Sequence, residues 1–151
     1  MAKEDFSCEH RLRVRWAEVD MQKVVFNGHY LTFIDTAVAE YWRAIGLHYP
    51  EGYVEKYAND MYLRKASVEY LGSARYEDEL CVRCRASRLG RSSLTFAFEI
   101  WREAPAPPPA PLITAELVYV NVEVATMKAA PLPEDLRARV RAFERKAPVE
   151  G

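Results

Sequence analysis

The residues best suited to chemistry lie in one short run, Asp20-Met21-Gln22-Lys23-Val24-Val25-Phe26-Asn27-Gly28-His29-Tyr30. Asp20 stands before Asn27, where helical apolar spacing begins. The first turn of a helix leaves N–H groups unpaired and carries a partial positive charge. A carbonyl oxygen placed there would be polarised, and one such donor is worth on the order of a hundredfold or more in rate. Gly28 lets the backbone approach a ligand closely. A carboxylate on the other side of that carbonyl can attack it or activate a water. These are the parts that thioester hydrolysis requires. Asp20 can equally hold a turn and Asn27 equally cap a helix. On spacing alone that plainer reading is favoured, because such residues are common in loops.

Other chemistries lack their motifs. There is no nucleophile elbow, no Gly-rich phosphate loop and no paired metal-ligand spacing. His10, His29 and His48 come with no triad motif. Cys8, Cys81 and Cys84 are odd in number, which argues against a disulfide scaffold. Cys81 and Cys84 form a C-x-x-C within a strand, where positions three apart face opposite sides. No metal and no cofactor is expected. The formal charge is -1, from 21 Lys+Arg and 22 Asp+Glu, so no global field favours nucleic acid or an anionic membrane. No apolar run is long enough to span a bilayer. The N-terminus lacks the apolar segment of a signal peptide, which makes a cytoplasmic location the expectation.

The elements around this run read clearly. Leu12, Val14 and Trp16 alternate with Arg11, Arg13 and Arg15, which predicts a first strand with one buried face. Tyr30, Phe33, Ile34, Ala37, Val38, Tyr41 and Ile45 follow helical spacing, with Leu31 and Trp42 widening the stripe. Asn27 fits its N-cap and Gly46 its terminating glycine. Such a helix would run roughly 24 Å and needs a cover. Residues 47–59 read as an irregular connection.

Four further strands follow. Tyr62 to Tyr70 alternate; Leu80, Val82, Cys84 and Ala86 form one face; so do Leu94, Phe96, Phe98 and Ile100; Val118, Val120, Val122 and Val124 mark the last. The Pro-rich stretch Ala104–Pro111 is a loop, since proline cannot donate to a ladder. Pro133 opens a short C-terminal helix at its first position, with Leu136, Val140 and Phe143 as apolar stripe and Arg137, Arg139, Arg141 and Arg145 as solvated face. The order is strand, long helix, four strands, short helix, in one domain spanning 1–151. That is an α+β two-layer domain with an antiparallel sheet.

At the Asp20 run the chain resembles a known family. Asp20, Val24-Val25, Asn27 and Tyr30 in DMQKVVFNGHYLTFID resemble the signature of the 4-hydroxybenzoyl-CoA thioesterase branch of the hotdog superfamily. HRLRVRWAEVD, VEYLGSARYEDEL, LGRSSLTFAFEIW and VNVEVATMKAAPLPEDLRARV extend the likeness from about His10 to Phe143. The resemblance implies a five-stranded antiparallel sheet wrapped around the long helix. It implies a homodimer joined sheet edge to sheet edge, paired further into a homotetramer. It implies an acyl-CoA thioesterase with Asp20 as nucleophile or general base and the Asn27 backbone N–H as oxyanion donor. Val25, Phe26, Gly28 and Tyr30 would contact the substrate, whose acyl group lies along the helix in an interfacial cleft. Phe26, Phe33, Tyr41 and Tyr57 would line that pocket or belong to the core. Arg88, Arg91 and Ser92, after the third strand, would hold the CoA part, since guanidinium suits phosphate; an ordinary charged turn fits them equally. Several relatives carry His or Tyr at the Asn27 position, so any side-chain role there does not carry over.

Two other readings keep the fold: release of acyl groups from acyl carrier protein, and stoichiometric acyl-CoA binding without turnover. A pure binder has no need of a carboxylate facing the thioester. A dehydratase is disfavoured, because no His lies near a carboxylate in the expected helix context.

Overall fold

A computed structural model describes residues 1–151. Five main strands form one antiparallel sheet: β1 (Cys8–Arg13), β2 (Asn59–Tyr70), β3 (Glu79–Leu89), β4 (Ser93–Ala104) and β5 (Ile113–Glu123). Their order across the sheet is β1-β3-β4-β5-β2. A short β6 (Val149–Glu150) adds a parallel contact to β3, which the sequence did not reveal. Helix α1 (His29–Ala44) lies across one face, and α2 (Glu134–Phe143) closes one end.

Alternation puts Leu80, Val82, Cys84 and Ala86 of β3 beneath α1, together with Leu94, Phe96, Phe98 and Ile100 of β4. The helix contributes Tyr30, Phe33, Ile34, Ala37, Val38, Tyr41 and Trp42, all buried. Cys81 faces the other side of the sheet from Cys84, as a strand's period of two requires. On β5 the core side is Ile113, Leu117 and Tyr119; Val118, Val120 and Val122 face away from the helix. α1 lies nearest β1 and β3, so the β5–β2 side of that face is less covered.

Gly46 sits at φ +82°, where a Cβ is penalised, and its N–H meets the Arg43 carbonyl at 3.1 Å. The Leu47 N–H reaches the Trp42 carbonyl at 2.9 Å, completing the left-handed glycine stop expected from the sequence. The N-terminus differs from expectation. Gly28, in a helical conformation, is the N-cap, and no side chain caps the helix. Asn27 therefore does not serve as its cap.

Four further expectations are corrected. Trp16 starts a short 3-10 turn (Trp16–Glu18) and is 80% exposed, so the buried alternation ends at Val14. The connection after α1 contains a π-helical turn, Glu51–Glu55, held because Tyr53 is buried and donates its hydroxyl to Asn121 Oδ1 at 2.7 Å. Pro133 is the N-cap of α2 rather than its first residue. The α2 arginines are anchored: Arg139 donates to the Ile45 carbonyl at 3.0 Å, Arg137 to the Gly90 carbonyl, and Arg141 pairs with Glu134 and Glu150.

Candidate active site

The Asp20 loop is built from backbone pairings. Glu18, buried, accepts the Arg15 N–H at 2.7 Å and the Arg15 guanidinium, which fixes the turn just before Asp20. The Phe26 N–H returns to the Glu18 carbonyl at 2.9 Å, and the Val25 N–H reaches the Ala74 carbonyl at 2.8 Å. Within this frame Asp20 to Val24 makes a tight turn, closed by Asp20 N–H to the Val24 carbonyl at 2.9 Å, with Lys23 at φ +67°. One carboxylate oxygen of Asp20, Oδ1, accepts the Gln22 N–H at 2.8 Å.

Tyr30 fixes the opposite wall. Its ring is buried and its hydroxyl accepts the Ala74 N–H at 2.9 Å, so the first turn of α1 is tied to the segment after β2. The Tyr70 ring packs edge-on against Tyr30, and its hydroxyl donates to the Asn27 carbonyl at 3.4 Å. The N–H groups of Asn27 and Gly28 enter no backbone hydrogen bond, whereas His29 N–H bonds the Phe26 carbonyl. Two donors are thus free where α1 starts, where the helix dipole is positive.

Asp20, Val25, Asn27 and Tyr30 border one cleft of about 590 Å³, together with Tyr70 and Gly72. The loop before the helix and the turn after β2 therefore meet, and the cleft has a carboxylate on one rim and the unpaired Asn27 amide on another. In sequence, Gly72 reads only as a turn residue. Tyr70 reads only as one more residue of an alternating strand, and nothing local signals that its end meets Asn27.

The other sequence candidates fall elsewhere. Phe26 is half exposed and stacks edge-on with His29; neither borders the cleft. Gly28 keeps the Phe26 ring close, since an added Cβ would lie 3.1 Å from Phe26 Cε2. Phe33 and Tyr41 are core residues, and Tyr57 donates its hydroxyl to Asp135. Arg88, Arg91 and Ser92 sit at the β3–β4 turn. Ser93 is level with Val120 and Tyr62, whereas Ile100 is level with Ile113 and Tyr70. Along the strands this separates the turn from the Tyr70 end by roughly 23 Å at ~3.3 Å per residue. Within one chain these three residues do not join the Asp20 cleft.

A second concavity of about 320 Å³ runs beside α1, on the less covered side of the sheet face. Val38, Trp42, Leu47, Tyr49, Met61 and Tyr119 supply most of its wall, and Asp35 and Arg43 its polar rim.

This fold and loop have known counterparts. A sequence profile of the thioesterase superfamily matches residues 22–108, and the chain belongs to that superfamily. Its sheet wrapped on a long helix is the hotdog fold. A putative esterase from Aquifex aeolicus is 27% identical over 94 residues, covering 62% of this chain and 72% of that protein. A thioesterase from Thermus thermophilus, solved with coenzyme A and zinc, is 28% identical with a TM-score of 0.77, covering 95% of this chain and 98% of that one. A Staphylococcus aureus protein solved in complex with CoA has a TM-score of 0.80 at 16% identity, covering 93% and 85%, and shows likeness of fold alone.

Proposed function

We propose that this chain hydrolyses an acyl-CoA thioester to the free acid and CoA, with Asp20 as its catalytic carboxylate. The single observation that supports this is the shared cleft: Asp20 on one rim, the unpaired Asn27 amide on another. A thioester carbonyl seated at that amide has its oxygen stabilised as negative charge develops. Asp20 then attacks the carbonyl carbon, expelling the thiolate and leaving an anhydride that water cleaves, or it takes a proton from the water that attacks. CoA as the carrier is supported by its presence in the Thermus relative. The acyl group extends from the cleft along α1, toward the apolar concavity that begins at Asp35 and Val38.

The working unit in this proposal is a homodimer that pairs again into a tetramer. Strand β2 is 12 residues long, forms one edge of the sheet and is largely exposed. Unpaired edges of this length are templates for a further strand. Antiparallel pairing of two β2 edges about Ser67 sets Lys65 of one copy beside Glu69 of the other. It also turns the β3–β4 end of the second copy, with Arg88, Arg91 and Ser92, toward the Tyr70 end of the first.

The test is Asp20→Asn, assayed by free-thiol release from a panel of acyl-CoAs. Loss of turnover by roughly 10²–10⁴-fold, with the unfolding midpoint unchanged, is the expected result. Undiminished hydrolysis removes Asp20 from the mechanism. A single turnover in ¹⁸O-water separates the two routes, since only the anhydride route carries label into the Asp20 carboxylate.

A further inference from the structure

The turn between β2 and β3 borders the cleft through Gly72 and Ser73, yet the side chains that fix it lie outside the cleft. Two successive peptide groups of this turn carry the two walls. The first joins Ser73 to Ala74. Its N–H donates to the Tyr30 hydroxyl at 2.9 Å, on the wall where α1 starts. Its carbonyl, on Ser73, accepts from Arg102 Nη1 at 3.4 Å. The second group joins Ala74 to Arg75. Its carbonyl, on Ala74, accepts the Val25 N–H at 2.8 Å, on the Asp20 wall. Its N–H, on Arg75, donates to Asp78 Oδ2 at 2.8 Å. Each group is therefore gripped on one side by a wall of the cleft and on the other by Arg102 or Asp78. These two side chains pair with each other, Nη1 to Oδ2, at 3.5 Å. Asp78 is buried, and a buried or half-buried pair is screened far less than one in water. Arg102 stands on β4, the middle strand of the sheet, so the grip is anchored in the part of the fold least able to move. Neither residue borders the cleft.

We propose that Arg102, with Asp78, is a positioning pair for the hydrolysis: it sets the gap between the Asp20 carboxylate and the Asn27 amide without touching substrate. This inference rests on the acyl-CoA reading above. The carbonyl is engaged from both rims at once, so an error of about 1 Å in that gap costs on the order of a hundredfold in rate. Substrate affinity depends far less on the gap, because stabilising the developing oxyanion is an interaction of the transition state. A role confined to stability would lower the melting temperature and leave kcat per folded molecule untouched. Both contacts of Arg102 with the turn come from one nitrogen, Nη1, so a lysine ammonium can stand in for it. The Arg102 Nε donates to the Ala106 carbonyl at 3.0 Å, in the Pro-rich loop, and only that contact is given up by lysine.

The experiment compares the full chain with Arg102→Gln, Asp78→Asn and Arg102→Lys. Each is assayed for thiol release well below its melting temperature, with rates scaled to folded protein. The substrate is whichever acyl-CoA the native chain hydrolyses fastest. Expected for Arg102→Gln is a roughly ten- to hundredfold fall in kcat with KM changed by less than about threefold. Asp78→Asn keeps an acceptor for the Arg75 N–H and falls less, and Arg102→Lys recovers most of the loss. Added to Tyr30→Phe, Arg102→Gln lowers kcat little further, because both act on the same peptide group. The Val25 and Ala74 amide signals move in the NMR spectrum of Arg102→Gln. If Arg102→Gln does not fold, Asp78→Asn carries the test with the same division between kcat and KM. The inference is overturned if kcat per folded molecule is unchanged in both variants, or if KM rises while kcat holds. Turnover that needs Asp20 yet ignores Arg102 and Asp78 discards this inference alone. Turnover that survives Asp20→Asn discards the catalytic reading, and the inference with it.

Discussion

Two carboxylates show how surroundings assign work to one functional group. Asp20 stands in an accessible cleft with a single short hydrogen bond, from Gln22 N–H. Glu144 is buried behind α1, where its Oε2 accepts the Tyr41 hydroxyl at 2.6 Å and the Ala86 N–H at 2.7 Å while Oε1 has no partner. Burial pushes the Glu144 carboxyl above its ordinary value of 4.5, outweighing hydrogen bonds that lower it. Because the folded chain then holds this proton more tightly than the unfolded chain, the group stabilises the fold fully below pH 4.5. That contribution fades as pH rises through the raised folded value. Glu144→Gln keeps an acceptor and carries no charge, so urea midpoints should be equal to or above those of the native chain at pH 7. The difference should shrink toward pH 4.5. A variant markedly less stable at pH 7 would show that the ionised form is the one the core prefers. Tyr41→Phe removes a buried donor from the same carboxylate and should cost about 1–3 kcal/mol in the same measurement.

At the scale of elements, what was legible in the sequence is what depends on period and local stops. The α1 stripe, the alternation of β3 and β4 and the Gly46 stop follow from spacings of 3.6 and 2 and from one backbone conformation that glycine tolerates. Gly46→Ala should destabilise the chain by about 1 kcal/mol or more, because the new Cβ meets φ +82° and lies 2.9 Å from Arg139 Nη1. Thermal unfolding checks this. What stayed hidden depends on contacts between distant segments. Trp16 continues a perfect alternation in sequence, yet the Glu18 clasp on Arg15 turns the chain outward there. The valines of β5 look like a core face, but the opposite parity, Leu117 and Tyr119, faces the helix. Of the site, Asp20 and Asn27 were readable as a loop and a helix start. That Tyr70 and Gly72 complete their cleft depends on how the end of β2 meets the loop, which no local pattern encodes. Arg88 and Arg91 stand for the CoA part only through the family resemblance, and within one chain they lie far along the strands from the Tyr70 end.

For the whole molecule, the open edge at β2 decides the next level of assembly. If two copies pair about Ser67, Glu69→Lys sets like charges opposite Lys65 twice per dimer. Sedimentation should show dissociation strengthened by up to roughly thirtyfold, and Lys65→Glu/Glu69→Lys should restore association. An unaltered dimer in the single variant would place the contact elsewhere. One residue links that architecture to the cleft. Ala74 receives the Val25 N–H on its carbonyl and gives its own N–H to the Tyr30 hydroxyl, although it lies outside every helix and strand. Both sides of the cleft hang from this residue, so they open together. In deuterium-labelling experiments the amides of Val25 and Ala74 should therefore exchange as slowly as those of the central strands, while Gln22 and Lys23, a few residues away, exchange early. A loop of this kind meets its ligand already in position, and its selectivity is a matter of fit rather than of closure.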